Sequence, residues 1–166
     1  LSPSRREADI AVMLSRPTSG PVLTMKLSDY ALGLYASQTY LETAPALHTR
    51  EDLGQGHRLV GYIPELIYAP ELRYLHEVLS GLSARTRSSS IVAQRALVAS
   101  GAGIGVLPCF MAEGDPTLRR VLPEQRIIRS FWLVTHRDTQ RLARVRAGKQ
   151  WLIDTVQQSR RLLLPA

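Results

Sequence analysis

Residues 91–110 read IVAQRALVASGAGIGVLPCF, and their reading decides the fold. In order, Ile91–Phe110 predicts a helix, a glycine turn with Gly101 as the helix stop, a short buried strand and a proline exit. Immediately upstream, Ser88, Ser89 and Ser90 supply candidate caps for the helix start. That order leaves backbone N–H groups pointing out of a helix N-terminus beside a strand, where a small polar or anionic ligand can sit. Gly101, Gly103 and Gly105 do not form a dinucleotide fingerprint, because they follow a helix, whereas that fingerprint follows a strand and opens a helix. A helix stop, a tight turn and a close backbone approach account for them better. The block therefore reads as part of a ligand receptor, not a catalyst.

Outward from this block, strands and helices alternate. Ala8–Leu14 is an apolar strand candidate that starts abruptly after the polar, basic residues 1–7, and an apolar strand in an α/β sheet wants neighbours on both sides, so a partner upstream is expected. Arg16–Pro21 breaks it with two prolines and a glycine. Val22–Lys26 and Tyr30–Ser37 predict two short extended segments, and Gln38–Leu41 one helical turn. His57–Ile63 predicts a strand ended by Pro64. Glu71–Leu79 carries Leu72, Leu75 and Leu79 at helical spacing, with Gly81 as its stop, and Leu82–Arg87 is weakly extended. After a loop holding Gly114-Asp115-Pro116, Ile127–Thr135 predicts the longest strand, with Phe131 and Trp132 on opposite sides. Arg141–Gln158 predicts the closing helix through the stripe Leu142, Val145, Leu152 and Val156, which Gly148 interrupts. Alternating elements of this kind argue for an α/β fold.

Composition narrows the function classes. An apolar share of 45% in 166 residues suits a globular core, and no apolar run is long enough to cross a bilayer. No basic, then apolar, leader opens the chain, so no retained secretion signal is expected. A single cysteine, Cys109, excludes an internal disulfide and a cysteine-rich metal site; it fits a reducing compartment and reads as packing, not as a reactive thiol. The net charge of +7 is concentrated late, with eleven Lys/Arg between Arg119 and Arg161 against Glu124, Asp138 and Asp154. Few aromatics are interleaved, so these cations read as a solvated face or subunit surface ahead of a nucleic-acid footprint. His48, His57, His76 and His136 show no ligand spacing, and Glu65, Glu71 and Glu77 read as solvated carboxylates. No catalytic residue, metal or cofactor is indicated.

The order of several segments carries a resemblance. Asp9-Ile10-Ala11 with Arg16-Pro17, Leu32–Ser37 with Tyr40-Leu41 and Pro45, Asp52-Leu53 with His57–Val60, and above all Ser88–Pro108 with its ASGAGIGVLP run are followed by a WLV strand and the helix around Val145–Val156. Together they resemble the effector-binding domain of LysR-type transcriptional regulators over essentially the whole chain. The resemblance implies a type 2 periplasmic-binding-protein-like α/β fold: two Rossmann-like lobes joined by two crossover strands, with the ligand cleft between them. Residues 1–16 with 136–166 would be part of the first lobe and 22–128 the second, with crossovers at 17–21 and 129–135. Against the family pattern, the N-terminal winged helix-turn-helix and the start of the first lobe are absent.

The same resemblance implies a small-molecule effector, a carboxylate among the candidates, and a homodimer or homotetramer. It also implies a cytoplasmic setting, no membrane, and DNA contact through the N-terminal domain rather than through these residues. Ser89 falls where family members often place an effector-contacting Ser or Thr; Ser88 and Ser90 flank it, and all three are equally readable as plain caps. Leu14 falls at the cleft mouth, Arg16 could face a carboxylate, and Tyr62 ends a second-lobe strand as a candidate ligand wall. A solute-binding protein of a transport system shares nearly the same fold and is the alternative.

Overall fold

The structure is a computed structural model and describes residues 8–165; the polar, basic stretch 1–7 and Ala166 lie outside the described residues. Hydrogen-bonded strand neighbours run β1 (Ile10–Met13), β6 (Leu118–His136), β2 (Val22–Ser37), β5 (Ile104–Pro108), β3 (Leu59–Gly61), β4 (Thr86–Arg87). The chain divides into two compact units, one containing residues 8–30 and 129–165 and the other Ala31–Ile128. The divisions fall inside two long strands, β2 (Val22–Ser37) and β6 (Leu118–His136).

In the first unit, β1 (Ile10–Met13) lies antiparallel to β6, with Ile10 opposite Thr135 and Met13 opposite Trp132. The closing helix is α5 (Ala143–Gln158), followed by one turn, α6 (Arg160–Leu163). Of its expected stripe, Val145 is fully buried, while Leu142 stays exposed at the N-cap. Gly148 sits where a β-carbon would come to 3.0 Å from Ile10 Cδ1, so the glycine lets β1 lie tightly under the helix. β2 is one strand where the sequence predicts two. The polar Ser28-Asp29 reads as a break, yet Asp29 is held by the Lys26 ammonium (2.8 Å) and by the Ser130 hydroxyl, and Tyr30 stacks on Phe131 at 4.2 Å. Tertiary partners override local polarity there.

The second unit is built on the block that opened the sequence. α3 (Ile91–Ala99) is followed by Gly101 and Gly103, both at positive φ (86° and 152°), and then by β5 (Ile104–Pro108), buried along its whole length. β5 lies antiparallel to β2, Leu34 opposite Val106, and parallel to β3 (Leu59–Gly61), which is in turn parallel to β4 (Thr86–Arg87). A β-carbon on Gly103 would overlap the Arg58 carbonyl, whose oxygen accepts from Ile104 N at 2.8 Å. One on Gly105 would come to 2.7 Å from Val98 Cγ2, so glycine is what allows α3 to lie directly on the sheet. Cys109 opens α4 (Cys109–Ala112) and is fully buried, beside the buried Tyr35 ring across the sheet.

Elsewhere in this unit α1 (Gln38–Leu41) is capped by the Ser37 hydroxyl, which accepts from Tyr40 N. The Tyr40 hydroxyl accepts from Arg58 N (3.0 Å) and is hydrogen-bonded to His57 Nδ1 (3.0 Å), which ties α1 to the segment entering β3. Between β3 and β4 the regular helix predicted over 71–79 is not formed. Two single 3-10 turns, Pro64–Leu66 and Pro70–Leu72, and the short α2 (Tyr74–Val78) take its place. Pro70 starts a tight turn and Arg73 leaves helical geometry at ψ 51°, which divides the leucine spacing between two pieces. β6 begins at Leu118, well before the expected Ile127. Leu122, at φ 46°, and Pro123 interrupt its local pattern without ending the strand.

Candidate ligand site

β3 and β4 are parallel, and both deliver their C-terminal ends to the N-terminus of α3. The ends are tied together. Ser88 N donates to the Gly61 carbonyl at 3.0 Å, and the Ser88 carbonyl accepts from Gln94 Nε2 at 3.0 Å. Gln94 is 1% exposed, a polar side chain on the buried face of α3 whose role is to hold this turn down. The Ser88 hydroxyl accepts from Ser90 N (3.1 Å), and the Ser90 hydroxyl accepts from Ala93 N (3.4 Å) as N-cap. Ser89 is exposed, and its side chain makes no hydrogen bond among the described residues. The first-turn N–H groups of Ile91 and Val92 have no intrahelical partner, as helix geometry dictates. A spare hydroxyl thus stands beside open N–H groups at the positive end of a helix dipole.

α3 is held at its middle and just past its C-terminal end. The Arg95 guanidinium meets the Asp115 carboxylate at 2.8 Å, and Arg58 Nη2 donates to the Gly101 carbonyl at 3.1 Å. The Thr117 hydroxyl and N–H, with help from Arg95, hold the Asp115 carboxyl below the usual carboxylate range.

Tyr62, just past β3, turns edge-on to Tyr74 with ring centres 5.9 Å apart and lines a pocket of about 390 Å³ within the same unit. Leu72, Leu75, Leu82 and Val106 give it an apolar body, while Arg73, Arg87 and Gln94 bring polar groups to it. Ser88, Ser89 and Ser90 do not line it.

Leu14 and Arg16 belong to the first unit. Leu14 is half-buried in the bend after β1. The Arg16 guanidinium lies over the Trp132 ring, 5.4 Å from its centre, with Nε directed at the Thr24 hydroxyl (3.4 Å). Arg73, Arg87 and Gln94 were not indicated by sequence. Only Gln94 left a signal, as the one amide among the small and apolar residues of IVAQRALVA. Among the described residues no group of three or more His, Cys, Asp or Glu is placed to hold a metal ion, and no helix is long and apolar enough to cross a membrane.

A family model described as the LysR substrate binding domain matches residues 4–157. The chain belongs to that family. Among solved structures similar to this LysR substrate-binding domain is the regulatory domain of CrgA, a LysR-type transcriptional regulator from Neisseria meningitidis. It is 25% identical at a TM-score of 0.78, with 91% of this chain and 76% of that one covered. A longer CrgA structure is 22% identical at the same TM-score of 0.78, covering 93% of this chain and 54% of that chain, so these residues span about half its length. The effector domain of the transcriptional regulator AmpR of Pseudomonas aeruginosa is 18% identical at a TM-score of 0.71, covering 97% and 78%. None of the curated proteins matches the chain. The fold is accordingly the mixed α/β, type 2 periplasmic-binding-protein-like fold of LysR substrate-binding domains, and a transport role is not favoured.

Proposed function

We propose that this LysR substrate-binding domain is the sensing part of a cytoplasmic, DNA-binding transcriptional regulator. A small effector, with a carboxylate the best fit, binds at the Ser88–Ser90 turn with Tyr62 beside it. The domain boundaries follow the family pattern, 1–16 with 136–166 as one lobe, 22–128 as the other and 17–21 with 129–135 as crossings. The domain associates as a homodimer or homotetramer, DNA is contacted through a winged helix-turn-helix outside these residues, and the reading has no catalytic step. Effector binding acts by favouring one assembly state over another through its differential affinity for the two.

The observation that carries this reading is the donor set at the start of α3 that finds no protein partner among the described residues: the Ser89 hydroxyl with the Ile91 and Val92 N–H groups, beside the capped Ala93 N–H. Such a terminus favours an anion. The test is thermal unfolding against a panel of small carboxylates, amino acids and sugar acids. At least one compound should raise the melting temperature in a concentration-dependent way, since a ligand of the native state stabilises it by mass action. Ser89→Ala should remove that rise. A melting temperature unmoved by the whole panel, or a panel in which Ser89→Ala leaves every rise intact, contradicts the proposal.

A further inference from the structure

The pocket beside Tyr62 is separate from the serine turn, and its charge is unbalanced. Its lining includes Arg73 and Arg87 but no aspartate or glutamate. Arg73 makes no hydrogen bond or ion pair among the described residues, and the one bond of Arg87 runs from Nε to the Ala84 carbonyl at 2.8 Å, leaving both terminal nitrogens of its guanidinium without a partner. Gln94 is oriented by the Ser88 carbonyl, which must face the amide nitrogen, so Oε1 is the end left without a donor among the described residues. Around these groups the surface is apolar, from Leu72, Leu75, Leu82 and Val106. A volume of about 390 Å³ lies at the small end of the range of about 300–1,000 Å³ that holds small-molecule ligands.

We propose that this pocket is a second small-molecule site, contained wholly within the Ala31–Ile128 unit, for a compound with an apolar body, a carboxylate and one hydroxyl or N–H donor. The carboxylate meets Arg73 and Arg87, since two unpaired guanidinium groups at an apolar opening are a ready partner for it. The donor meets Gln94 Oε1, which otherwise stays unpaired at the pocket wall. The site lies against the same Gln94 that holds Ser88, so its occupancy bears directly on the serine turn. This inference goes beyond the proposed effector role and does not depend on Ser89.

The experiment is calorimetric titration of the whole chain with three probes: 3-phenyllactate, 3-phenylpropionate without the hydroxyl, and uncharged 3-phenylpropionamide. Phenyllactate should bind saturably and most tightly, phenylpropionate more weakly, and the amide not measurably. Arg73→Gln, at an exposed and unpartnered side chain that the fold does not need, should weaken phenyllactate by about tenfold to a hundredfold. Arg87→Gln should do likewise, and Ser89→Ala should leave the affinity unchanged. If phenyllactate binding survives both arginine substitutions, or the amide binds as well as the acid, the second site is overturned. If Ser89→Ala alone abolishes binding, the probe is held at the serine turn, which overturns this inference and supports the effector reading. No saturable binding of any probe to the folded chain also overturns the inference, while the effector proposal stands on its own panel.

Discussion

Within the Ala31–Ile128 unit, residues 91–108 and residues 62–87 form two walls of opposite construction. The first is a helix laid on a strand at distances only glycine permits, with Val98, Ile104, Val106 and Leu107 almost wholly buried. The second is a string of single turns with Leu66 and Tyr68 standing 58% and 78% exposed, and a cavity left behind it. Both carry functional groups. The tight wall presents backbone N–H groups, whose positions are set by packing; the loose wall presents long side chains, Arg73 and Arg87, that line the cavity. The contrast shows how one small unit supplies both a fixed polar edge and an adaptable apolar one.

Substitutions in the tight wall should have the largest effects. Gly103→Ala places a β-carbon against the Arg58 carbonyl at a φ of 152°, and should cost about 3 kcal/mol or more, read as a lower urea midpoint or as failure to fold. Gly105→Ala should cost about 1–3 kcal/mol through its contact with Val98. In a Val98→Ala background the added methyl finds space, so a double-mutant cycle should return a favourable coupling of about 0.5–3 kcal/mol. Strict additivity would show that the glycine serves no close approach there.

The pinning of α3 supplies a pH dependence. The Asp115 carboxyl is held below its ordinary value by Thr117 and Arg95, so its contribution is present above the unfolded carboxylate pKa and lost as pH falls through the lowered folded value. Melting temperature measured below about pH 4 should therefore fall less steeply in Asp115→Asn than in the unmodified chain. The smallest effect belongs to the loose wall: Tyr68→Ser, at a 78% exposed ring, should change stability by no more than about 0.5 kcal/mol. A larger loss would mean that this wall is packed more like its opposite.

The same contrast explains what could be read from sequence. The helix, the glycine stop and the buried strand expected in that order within residues 91–110 follow from local rules of periodicity and turn chemistry, and all three are present as α3, Gly101 and β5. Of the three cap candidates, Ser90 is the N-cap and the Ser88 hydroxyl accepts from Ser90 N, whereas Ser89 makes no capping bond among the described residues. Strand β2 is not legible as one piece because Asp29 is satisfied by Ser130, far away in sequence, and the sequence places the start of the last strand at Ile127, short of the observed Leu118. Within the loose wall, Leu72, Leu75 and Leu79 predict a regular helix over 71–79, which Pro70 and the bend at Arg73 break up. Its arginines and cavity leave no local pattern, because a pocket is defined by side chains gathered from Val60 to Val106.

The most direct test of the sensing role is a backbone amide chemical-shift map of the labelled chain, titrated with a carboxylate that raises its melting temperature. The account predicts the largest shifts at Ser89, Ile91 and Val92, with Tyr62 following and Ile104–Leu107 nearly still. Shifts concentrated on α5, with the Ser88–Val92 amides unmoved at saturation, would contradict it.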